Sequence, residues 1–88
     1  MREYVVEYLG TVFILFVIIV TSNPFAIGAA YAMAIYLGGP ISGGHFNPAV
    51  TFLKVLSGKE SAAVMAPYVI AQILAAVTVY LLYKRLQI

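Results

Sequence analysis

Eighty-eight residues suffice for one small domain, but 64% of them are hydrophobic and only 9% charged, against about a quarter charged in an ordinary soluble chain. Such a chain cannot cover its surface with polar groups, so lipid is the solvent it suits. A net charge of +2 from five scattered bases gives no footing for nucleic acid. The absence of Cys removes disulfide and thiolate chemistry. Asp is absent too, which leaves Glu3, Glu7 and Glu60 as the only acids.

Met1-Arg2 followed by an apolar run has the outline of a cleavable leader. Glu3 and Glu7 acidify that region, and no small-residue cleavage pattern precedes the break at residues 21–24, so the run is kept as a first span, residues 4–20. Thr21-Ser22-Asn23-Pro24 is a turn, with Pro24 placed to start a helix. A second span is predicted over residues 25–37, where thirteen helical residues rise ~20 Å, short of a full crossing. Gly38-Gly39-Pro40 should break it. A third span is predicted over residues 61–83, closed by Lys84-Arg85. Gly28 with Ala32, and Ala71 with Ala75, are small pairs one turn apart that suit helix contact in lipid. The fold class is therefore all-α membrane protein, multi-pass, in a plasma or inner membrane.

Residues 38–58 are too apolar for a solvated loop and too Gly-broken for a span. The stretch Pro48–Leu56 would rise ~14 Å, about half a bilayer core, as a re-entrant half-helix does. Irregular backbone at that depth is tolerated only where it is buried or lines a wet cavity. Asn47-Pro48-Ala49 has the form of a helix start: Asn caps, and Pro at the first position forfeits an N–H that lacked a partner anyway. The positive helix end repels cations, and the Asn47 amide donates to a neutral solute. Ahead of it, Gly43, Gly44, His45 and Phe46 offer a ladder of carbonyl acceptors. Acceptors leading to a donor at a positive dipole end describe a path for water or small alcohols. His45 is the only His and has neither companions for a metal site nor a nucleophile to serve, so no catalytic residue, metal or cofactor is expected. A pH-gating role for it is the sharper alternative to a structural one. Lys54 complements the C-terminal end of the half-helix dipole. Tyr4, Tyr80 and Tyr83 suit the membrane interfaces, whereas Tyr31 and Tyr36 lie deeper, facing either a lumen or a neighbour.

At these residues the sequence resembles the aquaporin and glycerol-facilitator family. Ser42-Gly43-Gly44-His45-Phe46-Asn47-Pro48-Ala49-Val50-Thr51 is similar to that family's first re-entrant loop, Glu7-Tyr8-Leu9-Gly10-Thr11 to its first helix, and Pro67-Tyr68-Val69-Ile70-Ala71-Gln72 to its third. The likeness covers the first half of the family's fold, whose second half carries its own Asn-Pro-Ala. It implies a pore completed by an inverted second copy, an antiparallel homodimer, with further association into fourfold arrays. It also implies that Glu7 braces the loop backbone rather than sitting as an ordinary carboxylate near the membrane surface. The filter positions it implies are Ile27, Ile35, Gly44 and Val50, with Val50 where relatives carry an Arg after the second Asn-Pro-Ala. All four are apolar, so a wider and drier constriction is expected, open to water, glycerol, urea or ammonia. Two rivals stay open: pairing with a different complementary chain, and a scaffold or fragment that conducts nothing. The bases are nearly balanced, Arg2, Lys54 and Lys59 on one face against Lys84 and Arg85 on the other, as insertion in both orientations requires.

Overall fold

The structure, a computed structural model, describes residues 1–87, which form helices α1 (Arg2–Val20), α2 (Pro24–Ser42), α3 (Pro48–Leu56) and α4 (Met65–Leu86). A single 3₁₀ turn, Ala62–Val64, leads into α4. Three helices are long and apolar enough to cross a membrane: α1, α2, and α4 with its leading turn. Two Asn-Pro pairs set helix starts. Asn23 Oδ1 accepts from Phe25 N at 2.8 Å and Ala26 N at 3.1 Å, and Asn47 Oδ1 accepts from Ala49 N at 2.8 Å. In both, the following Pro occupies the first turn, where no intrahelical partner is lost.

The second span differs from the sequence expectation. It does not stop at residue 37 but continues through Gly38-Gly39-Pro40 to Ser42, giving 19 helical residues that rise ~28 Å, a full crossing. Pro40 lies inside the last turn, two residues before the helix ends, so its missing N–H leaves only one carbonyl, that of Tyr36, without its intrahelical donor. The true stop is Gly43, whose φ of +90° is a left-handed conformation favourable to glycine, and whose N–H closes on Gly39 O at 2.8 Å.

Helix α1 is the centre of the packing. Glu7 reaches Ser42, near the end of α2, and Ile14 packs with Ala34 further back, so α1 and α2 run antiparallel. Tyr4 meets Tyr68, Glu7 meets Gln72 and Tyr8 meets Thr78, so α1 and α4 run parallel. On α4, Ala71 and Ala75 are buried; on α2 the buried small residues are Ala30, Ala34 and Gly38. Gly28 and Ala32 are exposed, so that small pair is not an internal contact. The tight approach the small residues permit is used by Phe46. Its ring sits where a Cβ on Gly10 would overlap it, and 3.1 Å from where Gly38 would carry one. Phe46 joins Ile14 and Ala34 in the central cluster, which draws the loop after α2 back along α1 toward the middle of its length. The outward faces carry the large apolar side chains: Phe25 is 84% and Leu37 66% exposed.

Candidate functional site

Between α2 and α3 the chain folds into the apolar interior on a framework of polar contacts. Gly44 has φ +66° and Phe46 φ +55°. For Phe that left-handed backbone costs about 1–3 kcal/mol and persists only where its surroundings over-determine it. They do so here. The Phe46 ring is held in the Gly10–Gly38 slot, and its N–H donates to Glu7 Oε1 at 2.8 Å. The same oxygen accepts from Gln72 Nε2 at 3.0 Å. Glu7 Oε2 accepts from His45 N at 2.9 Å and Ser42 Oγ at 2.8 Å. A carboxylate with 0% exposure thus meets four donors from the end of α2, the loop and α4, which offsets the large penalty of taking it out of water.

A second ring of contacts surrounds the first. Ser42 Oγ accepts from Gly44 N at 3.1 Å, and Ser42 O accepts from the Tyr68 hydroxyl at 2.6 Å. Thr51 Oγ1, on the first turn of α3, lies 3.0 Å from Gln72 Nε2, which donates to it, and 2.9 Å from His45 Nδ1. The His45 ring is 1% exposed, tilted against Tyr68 with centroids 4.9 Å apart, and its Nε2 lies 3.6 Å from Glu60 Oε2. Tyr31, on α2, donates its hydroxyl to His45 O at 3.0 Å and packs edge-on to Phe46.

The residues singled out in the sequence therefore separate into two sets. Glu7, Gly44, His45 and Phe46 are buried, whereas Gly43, Asn47, Pro48 and Ala49 are exposed and Val50 is half-buried. Of the four filter positions, Gly44 lies against Ile35, where an added Cβ would come within 3.4 Å of Ile35 Cα. Ile27 stands two turns from Ile35 along α2, and Val50 stands on α3. His45 and Phe46 turn their side chains inward, so they can serve a solute only through their backbone. Ser42, Thr51, Gln72 and Tyr68 belong to the site and were not singled out as site residues in the sequence. The signal for them was present: hydroxyl and amide side chains within apolar segments need partners. No group of His, Cys, Asp or Glu among the described residues forms a metal-ligand set.

Asn47 caps α3 through its Oδ1, and its side chain also lies against the Tyr31 hydroxyl. No donor among the described residues reaches the carbonyls of Gly43, Gly44 or Phe46, and that of His45 is taken by Tyr31. By contrast, the groove of about 350 Å³ between α1 and α2 is lined by apolar groups, among them Val6, Leu9, Phe13 and Met33.

The fold and the site together define an all-helical integral membrane protein with its buried polar groups gathered around one interior loop. The family profile described as Major intrinsic protein matches residues 1–87, and the chain belongs to that family. It is 43% identical over 86 residues to the glycerol uptake facilitator protein-like 6 of Lactiplantibacillus plantarum, a match covering 88% of this chain and 40% of the relative. It is 43% identical over 56 residues to the aquaglyceroporin AqpS of Rhizobium meliloti, covering 64% of this chain and 24% of the relative. With an aquaporin Z of Photorhabdus laumondii the identity is 44% over 61 residues, covering 65% and 26%. The chain spans less than half the length of these relatives, whose names are those of channels and facilitators rather than enzymes. No solved structure matched the chain.

Proposed function

We propose that this chain supplies one half of a passive channel for water and small neutral solutes, with residues 43–47 and α3 as its re-entrant wall. One observation carries the reading. The unbonded carbonyls of Gly43, Gly44 and Phe46 belong to the same short loop as the exposed Asn47, in a chain whose helices otherwise turn large apolar side chains outward. Unpaired backbone in a bilayer is stable only against protein or in a wet cavity, and acceptors beside a donor are what a hydrogen-bonding solute needs. The nine residues of α3 rise ~14 Å, about half a bilayer core, so a second element must complete the wall. An inverted second copy of this segment is the element we assign. Two α3 N-termini then meet near the midplane, and their dipoles oppose cations. Further association of such pores into fourfold arrays leaves this scheme unaltered. Relatives named for water, for glycerol and as an aquaglyceroporin favour small neutral solutes as the permeant class.

The test is stopped-flow shrinkage of vesicles carrying the purified chain. Water efflux should exceed that of empty vesicles and show the low activation energy of a continuous wet path. Efflux equal to that of empty vesicles, with the protein inserted and helical, refutes the channel reading.

A further inference from the structure

We infer that Tyr31 is the residue that sets solute size in this pore, by holding its phenol ring across the carbonyl ladder; the inference rests on the channel reading above. Tyr31 lies one helical turn from Ile27 and one from Ile35 on α2, so the three share a face. Its two neighbours are aliphatic, and the phenol hydroxyl is the one polar side-chain group of the three. That hydroxyl donates to His45 O at 3.0 Å, and the Asn47 side chain lies against the hydroxyl itself. The ring stands edge-on to Phe46, centroids 6.5 Å apart and planes at 67°, so both ends of the side chain are fixed. Tyr31 is half-buried, whereas Tyr36, five residues on, is 81% exposed. Of the two deeper tyrosines, then, only Tyr31 turns to the loop.

Two consequences follow for a permeant. The His45 carbonyl is removed from the ladder, and the phenol oxygen that caps it at 3.0 Å takes its place as the acceptor at this level. Water fits such a rung with a single hydrogen bond. A three-carbon polyol must pass the ring edge as well. The apolar positions Ile27, Ile35, Gly44 and Val50 read alone as a wide, dry mouth, and Tyr31 makes it narrower and wetter at this level. In an inverted pair each copy contributes one such ring.

The experiment compares wild type, Tyr31→Val and Tyr31→Phe in reconstituted vesicles, recording water efflux and glycerol entry on the same preparation. The readout is the ratio of the two permeabilities, which a reduced fraction of folded protein leaves unchanged. Tyr31→Val should raise the glycerol-to-water ratio by about tenfold, the discrimination a shape-fitted wall supplies for roughly one methylene. Tyr31→Phe keeps the ring on Phe46 and should raise it less. A Tyr31→Val ratio equal to wild type overturns the inference, as does a Tyr31→Phe ratio matching that of Tyr31→Val. Wild-type vesicles that pass no more water than empty ones refute the channel reading itself, which is a separate result.

Discussion

Replacing Glu7 by Gln alters one atom in the contact set that fixes the loop. The carboxylate has four donors around it: Ser42 Oγ, His45 N, Phe46 N and Gln72 Nε2. A Gln amide presents one acceptor and one donor group, so one oxygen position becomes an NH₂ facing donors. Side-chain partners can adjust. The Ser42 hydroxyl rotates, and the Gln72 amide can flip to present its Oε1, which has no partner in the structure. The backbone N–H groups cannot adjust. Whichever way the new amide turns, either His45 N or Phe46 N loses its acceptor. A bond to a charged acceptor is worth ~1.5–3 kcal/mol, and a buried donor left unpaired forfeits a similar amount. After the side chains re-pair, the expected loss is about 2–3 kcal/mol. Hydrogen exchange in detergent micelles reads this directly. One of the two amides should exchange about 30- to 150-fold faster than in wild type, while the other keeps most of its protection. Equal protection of both amides in Glu7→Gln would show that packing of Phe46, and not the carboxylate, holds the left-handed turn.

Asn47→Asp retains the cap on α3, since Asp caps as well as Asn and a carboxylate is favoured at a helix N-terminus. Helicity should survive while cation exclusion weakens, measured as potassium leak from vesicles alongside water efflux; unchanged exclusion with retained water flow separates the barrier from this residue. A tag placed after the last residue should be labelled by a membrane-impermeant reagent in about half the molecules of sealed vesicles, as an inverted pair requires. Labelling of nearly all or nearly none points to a different complementary chain as the second half.

The three spans were legible because apolar runs of this length have one use in lipid. The end of α2 was misjudged at Gly38-Gly39-Pro40 for a local reason. Helix-breaking residues act through the bonds they remove, and Pro40 removes its bond in the final turn. The two Asn-Pro starts were readable, since cap and cap partner are two or three residues apart. The partners of Glu7 lie 35 to 65 residues away, and no spacing rule connects them; only the resemblance suggested a role for that acid. Tyr31 and Tyr36 are indistinguishable by depth in the sequence. Their difference comes from helix rotation, which the packing of Ala30, Ala34 and Gly38 against the rest of the fold sets.

Apolar helices side by side in lipid have little to stop one from sliding along another, because a shift exchanges one set of methyl contacts for an equivalent set. Glu7 removes that freedom. Its oxygens are bound at distances between 2.8 and 3.0 Å to groups on α2, the loop and α4, and a slip of one turn, ~5.4 Å, would break every one of them at once. A single carboxylate therefore acts as an axial pin for this bundle, setting how far along α1 both neighbours stand and so the height at which Asn47 is presented.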